Sequence, residues 1–192
     1  MAETGYRFAT STTASTGTWT STGNFFATDG VEGQCSIAAK SVTSVQILNN
    51  FGFTTSIIPP DATIDQVLLR AVWRVTTDAS VIAVLGVAAH HSSAGLLSTH
   101  KNALEITALT TDTYDITADF AWTPSDLSDA SLTVHMRPNN GNDASDPFYR
   151  IDSISLDAFY TPVVPAARRF YRATQNLDGI GSDGIFPGND LE

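Results

Sequence analysis

An all-β fold, an antiparallel β-sandwich with an extended N-terminal segment and a C-terminal arm, is what this sequence predicts. Three observations predict it. Several runs alternate apolar and polar side chains over strand lengths. Turn signals recur at intervals of roughly ten residues, the spacing of a sandwich or barrel. Charged residues make up only 16% of the chain, and Ser and Thr fill the gap. Thr in particular suits a pleated, half-buried surface. No βαβ rhythm, helical repeat or heptad pattern is present.

The elements follow in order. Residues 1–22 are rich in Ser, Thr, Ala and Gly, with isolated aromatics at Tyr6, Phe8 and Trp19, and read as an arm or as a strand at a sheet edge. The sandwich is expected over 23–162. Asp29-Gly30 and Gly33 signal turns, and Val42, Val45, Ile47 and Leu48 are apolar positions broken by polar ones. Pro59-Pro60 forbids a central strand or a helix interior and marks a connection. From Ile64 to Thr77 the chain predicts its best strand, with Val67, Leu69, Ala71, Trp73 and Val75 on one face. Leu68, Arg70, Val72 and Arg74 share the other, mixed face.

Thr77 to Ser80 predicts a hairpin turn. The unbroken apolar run Val81 to Ala89 then predicts a strand covered on both faces. Leu96 to Leu109 leaves strand and short helix both open. Thr113 to Phe120 alternates as a strand, with Asp115, Thr117 and Asp119 on its polar side. Ser125 offers a cap for a single helical turn. Leu132, Val134 and Met136 alternate with Thr133, His135 and Arg137, and Asn139 to Asp143 is a turn signal. Tyr149 to Tyr160 predicts the last strand. Ile154, Leu156, Ala158 and Tyr160 face one way; Ser153, Ser155 and Asp157 face largely the other.

Beyond Pro162 the character changes, and 163–192 read as an arm. Arg168, Arg169 and Arg172 form the only basic cluster. Leu177, Ile180, Ile185 and Phe186 are then spaced along a Gly- and Asp-rich backbone. Arg168, Arg169, Phe170, Tyr171, Leu177, Ile180, Ile185 and Phe186 are the expected partner-binding residues, ordering against another subunit. A plainly disordered terminus is the competing expectation.

Composition excludes several classes. A net charge of −10 and a pI near 4.6 argue against nucleic acid as the partner. No apolar stretch approaches the ~20 residues that cross a bilayer as a helix, so no membrane partner is expected. The first residues have neither a basic start nor an apolar run, so no signal peptide is expected. The single cysteine, Cys35, cannot form an internal disulfide and reads as a small buried hydrophobe.

Catalysis is not expected, nor is any cofactor or metal. His90 and His91 point to opposite faces of an extended chain and cannot share a ligand site; His100 and His135 complete the histidines. Asn139, Asn142, Asp143, Ser145 and Asp146 offer oxygens for calcium, but turn chemistry explains them equally well. Asp115 and Asp119, with Asp112 nearby, would sit about 13 Å apart on one strand face, too far for a glycosidase pair. Nucleophile elbows, P-loops and dinucleotide fingerprints are absent. Of Trp19, Trp73 and Trp122, Trp73 belongs to the core strand, and Trp122 is the expected exposed ring for stacking a sugar.

Certain segments carry a resemblance. Asn50-Phe51-Gly52-Phe53, Ile58-Pro59-Pro60-Asp61-Ala62-Thr63-Ile64-Asp65-Gln66-Val67, Trp122-Thr123-Pro124-Ser125-Asp126-Leu127 and the closing Ile151 to Pro162 resemble a pattern of tailed-bacteriophage virion structural proteins. The resemblance spans roughly residues 20 to 162. It implies a jelly-roll-like sandwich serving as a capsid-decoration, head-fibre or tail-associated module, made in the host cytoplasm and resident in the virion. It transfers no functional residue, and the long C-terminal arm departs from it. The expectation is a decoration or cement protein bound to the major capsid protein or to sister copies, as a homo-oligomer, with a trimer favoured. The alternatives are a glycan-binding module of a tail fibre or receptor-binding tip, and a tail or connector component.

Overall fold

The computed structural model describes residues 1–36, 44–76, 84–96, 98, 101–104, 107–139 and 148–163. In chain order the strands are β1 (Ala2–Glu3), β2 (Arg7–Phe8), β3 (Ser11–Thr16), β4 (Thr18–Thr20), β5 (Gly33–Ser36), β6 (Val45–Asn49) and β7 (Thr63–Val75). There follow β8 (Val84–His91), β9 (Gly95–Leu96), β10 (Lys101–Leu104), β11 (Thr110–Asp115), β12 (Leu132–Asn139) and β13 (Phe148–Thr161). They form two antiparallel sheets. The first runs β11-β7-β13-β5-β4, with β1 and β2 also paired to β13; the second runs β10-β8-β12-β6-β3, with β9 on β8. The protein is an antiparallel β-sandwich. Among the described residues no helix is long and apolar enough to cross a membrane.

The core lies where the alternation puts it. Val67, Leu69, Ala71, Trp73 and Val75 on β7 are all buried, and they face Leu85, Val87 and Ala89 of β8 and Leu132, Val134 and Met136 of β12 in one cluster. Trp73 stacks on Tyr149 with ring centroids 6.3 Å apart, and its Nε1 donates to Asp112 at 2.7 Å. Leu85 to Ala89 are buried without a break, as a strand covered on both faces requires. The hairpin turn at Thr77 to Ser80 lies outside the described residues.

One strand stops short of its expected end. Thr113 to Phe120 does not remain extended: β11 ends at Asp115 and Thr117–Asp119 form a 3₁₀ turn. The reason is local. The Asp115 carboxylate accepts from the Thr117 amide at 2.9 Å, and the Thr117 hydroxyl accepts from the Val67 amide at 2.9 Å. That side-chain route competes with the ladder and tucks Ile116 into the core.

Residues 1–22 are paired into both sheets. β1 and β2 lie along β13, the chain crosses so that β3 pairs with β6, and β4 returns to pair with β5. The crossing needs Gly17, which has φ of +87° and would place a Cβ against the Ser44 hydroxyl. Gly33 is needed for a different reason: a Cβ there would meet the buried ring of Phe25. The C-terminal arm, with Arg168, Arg169, Phe170, Tyr171, Leu177, Ile180, Ile185 and Phe186, lies outside the described residues.

Candidate functional site

A cleft of about 370 Å³ opens at one end of the sandwich. Phe53, Thr54, Thr55, Ile58 and Pro60 line one wall, and Thr123, Pro124, Ser125 and Ser128 the other. Two connections far apart in sequence therefore make it, and each is held by its own chemistry.

The first wall begins where β6 stops. Asn50 and Gly52 both take positive φ, 56° and 76°, which turns the chain sharply. Phe51, Phe53 and Ile58 are drawn into the core, leaving Thr54, Thr55 and Ser56 exposed. Ile57 and Ile58 both donate to the Thr54 carbonyl, Ala62 donates to the Pro59 carbonyl, and the Tyr160 hydroxyl donates to the Ile57 carbonyl at 2.6 Å. Proline at 59 and 60 fixes φ, so the wall is stiff.

The second wall is a turn organised by Asp126, whose carboxylate accepts from the amide and the hydroxyl of Thr123. Ser128 donates its hydroxyl to the Ser125 carbonyl at 2.8 Å. The turn is thus closed by Asp126 and Ser128, and Ser125 supplies an acceptor rather than a helix cap. Asp129 joins the walls: its carboxylate accepts from the amides of Gly52 at 2.7 Å and Phe53 at 3.2 Å. A carboxylate that gathers two amides is among the stronger ties available to a loop.

The cleft's chemistry is apolar floor and hydroxyl rim. Phe53, Ile58, Pro60 and Pro124 supply carbon surface; Thr54, Thr55, Thr123, Ser125 and Ser128 supply hydroxyls. Among the described residues no ionisable side chain lines it. Pairs of hydroxyls are preset, with Thr54 and Ser56 at 2.7 Å and Thr123 and Ser125 at 2.8 Å.

Trp122 is not the exposed ring expected of it. It is 9% exposed, donates its Nε1 to the Ile116 carbonyl at 3.0 Å, and meets Phe120 edge-on. The same 3₁₀ turn that ends β11 supplies that acceptor, so the indole anchors the second wall from behind. Trp19 is half-buried against Phe25, with its Nε1 donating to the Thr16 carbonyl. Trp73 is in the core.

The other singled-out residues disperse. His90 and His91 do diverge: His90 stacks on His135 across β8 and β12, whereas His91 Nδ1 accepts from the amides of Ser93 and Ala94. Asp112 holds the Trp73 indole and Asp115 accepts from Gln66 at 2.8 Å. Because the chain leaves the strand after Asp115, Asp119 does not share a strand face with it. Among the described residues no three His, Cys, Asp or Glu side chains converge as a metal site would need. Of the calcium-like run only Asn139 is described, on β12; His100 also lies outside the described residues. Cys35 is buried, and burial pushes its thiol up to about 11, so little thiolate exists near neutrality.

No protein-family model matches the chain, and no curated protein matches it. Among solved structures it is similar to one described as "CBM4 structure and function", at 13% identity and a TM-score of 0.47, over 81% of this chain and 95% of that one. It is similar to SGBP-B from a complex xyloglucan utilization locus in Bacteroides uniformis, at 12% identity and 0.46, over 79% and 46% of the two chains. A third likeness is to the family 11 carbohydrate-binding module from Clostridium thermocellum in complex with a β-1,3-1,4-mixed-linked tetrasaccharide, at 9% identity and 0.41, over 76% and 85%.

Proposed function

We propose that the chain is a non-catalytic glycan-binding module, of the kind a virion carries on a tail fibre or receptor-binding tip. The cleft carries this reading: a sugar presents a carbon face and a hydroxyl edge, and the apolar floor with its hydroxyl rim complements both. The walls are held before any ligand arrives, by Asp126, Asp129 and the paired prolines, which keeps the ordering cost of binding small. The virion setting is supported by the sequence resemblance, whose segments 50–53, 58–67 and 122–127 contribute Phe53, Ile58, Pro60, Thr123, Pro124 and Ser125 to the cleft.

The test is affinity electrophoresis of the full chain through gels containing neutral polysaccharides, beside a glycan array. Retardation by at least one polymer is expected, lost in Ser125→Tyr, which fills the cleft from an exposed position. No retardation by any polymer and no array signal would remove the glycan reading. Capsid decoration is the second proposal, favoured by the spaced apolar residues of the C-terminal arm. Truncation after Pro165 is expected to weaken particle attachment while leaving the sandwich folded; attachment at full strength would dismiss the arm.

A further inference from the structure

The cleft is concave with an apolar floor, and the chain's own continuation leaves the sandwich beside it. β13 ends against the first wall. Thr161 pairs with Thr63, three residues beyond Pro60, and the Tyr160 hydroxyl donates to the carbonyl of Ile57, the residue before Ile58 of the floor. The Thr161 hydroxyl donates to the Asp65 carboxylate at 2.8 Å, which fixes the exit, and Val163 is exposed. Whatever follows Val163 therefore starts next to the cleft.

Residues 164–192 lie outside the described residues, but their sequence contains a match for the floor. Ile185-Phe186-Pro187 sets a β-branched side chain, an aromatic ring and a rigid proline side by side between Gly184 and Gly188. Glycine neighbours have no side chain to hold the backbone away from a wall. Elsewhere in the segment the match is poorer. Leu177 and Ile180 stand singly, and Phe170-Tyr171 lies between Arg169 and Arg172. No acid lines the cleft among the described residues, so seating Phe170 there would strip water from the arginines without a carboxylate to replace it.

The tether is long enough. Residues 164–184 separate the exit from Ile185, and a random-coil tether of that length spans about 25 Å on average. Closing such a loop costs little more than closing one half as long. Attachment also holds Phe186 near the cleft at an effective concentration of about millimolar, which favours a chain's own segment over that of a sister copy.

We infer that the C-terminal segment of the same chain docks in the cleft, with Ile185, Phe186 and Pro187 against Phe53, Ile58, Pro60 and Pro124. A polysaccharide entering the cleft then has to displace the segment, whose release sets the apparent affinity of the site. The docking itself needs only the cleft and its lining, whether or not the displacing ligand is a sugar.

Paramagnetic broadening in the full chain tests this. A nitroxide is attached at position 189 through Asn189→Cys; the single native thiol, Cys35, is buried and stays unlabelled. Loss of the amide signals of Thr54, Thr55 and Ser128 is expected, with those of Ser36 and Phe148, on strands away from the cleft, retained. Adding Ile185→Asp and Phe186→Asp is expected to restore the lost signals. No broadening at the cleft, or broadening that survives those two changes, overturns the docking. So does broadening seen only when isotope-labelled chains without nitroxide are mixed with nitroxide-bearing ones, since the occupant is then a sister copy. Affinity electrophoresis adds a second arm. Any polysaccharide whose retardation Ser125→Tyr abolishes is expected to retard the double aspartate variant more strongly than the parent, and equal retardation overturns the inference. If no polysaccharide binds yet the broadening appears as expected, the glycan reading falls and the docking stands; if a polysaccharide binds without the broadening, the reverse holds.

Discussion

The outer faces of the two sheets begin from the same alternating pattern and end in opposite states. On β13 of the first sheet, Ser153, Ser155 and Asp157 point away from the core yet are at most 1% exposed. Each has a partner: Thr28 meets Ser153 at 2.8 Å, Arg70 Nε donates to Ser155 at 3.2 Å, and the Thr4 hydroxyl donates to Asp157 at 2.9 Å. The Arg70 guanidinium also lies 3.8 Å from the centre of the Tyr6 ring. On β12 of the second sheet, the equivalent row of Thr133, His135, Arg137 and Asn139 is only partly buried. The partners of the β13 row come from three separate places, Thr4 of the N-terminal segment, Thr28 ahead of β5 and Arg70 of β7. A polar face whose groups are paired within the chain is a structural element.

Arginine on the two faces is the sharpest way to break the comparison. Arg70→Ala leaves Ser155 buried without its donor and removes the guanidinium from Tyr6. It is expected to lower stability by about 2–3 kcal/mol, read from urea denaturation. Thr4→Val removes the hydroxyl that donates to Asp157 and accepts from the Ala158 amide, and is expected to cost about 1–2 kcal/mol by the same measurement. Both changes should act together on the N-terminal strands, so their double variant is expected to lose less than the sum.

Acidity gives a smaller effect. Glu3 is held above the ordinary carboxyl value of 4.5, by its hydrogen bond to Asp157 and then by that residue's charge. A raised folded value favours the native state below the unfolded value and loses that benefit as pH rises through the folded one. Amide exchange at Glu3 and Thr4, corrected for intrinsic rates, is therefore expected to show more protection near pH 4 than at pH 7. Glu3→Gln should erase the difference; an unchanged profile in that variant would assign it elsewhere. The smallest effect belongs to Arg137→Ala, expected within about 0.5 kcal/mol of the parent because among the described residues Arg137 enters no ion pair. A loss as large as that of Arg70→Ala would mean the two faces do not differ.

Much of the sandwich was legible because strand periodicity reports which way each side chain points. β12 shows it most clearly, with one residue in two apolar and buried, and on β7 every second residue from Val67 to Val75 belongs to the core. Pro59-Pro60 marked its connection because two prolines leave the backbone few choices. The Thr113 to Phe120 stretch misled for an equally physical reason. Its alternation continues past Asp115, but a carboxylate and a hydroxyl two residues apart bonded to backbone instead of leaving it in the ladder. Trp122 misled similarly: a proline and polar neighbours suggest exposure, and only the carbonyl of Ile116 explains its burial.

From the sequence alone came the all-β class, the inward faces of the long strands and the stiff turn at the prolines, all consequences of contacts within a few residues. Tertiary structure decided which face was sealed, where Trp122 went, and that residues 53–60 meet 123–128 as one cleft. Those outcomes depend on pairings across dozens of residues, such as Gly52 with Asp129 and Thr4 with Asp157. A side chain's own neighbours carry no record of which distant backbone will close over it, since that is settled by the packing of whole sheets.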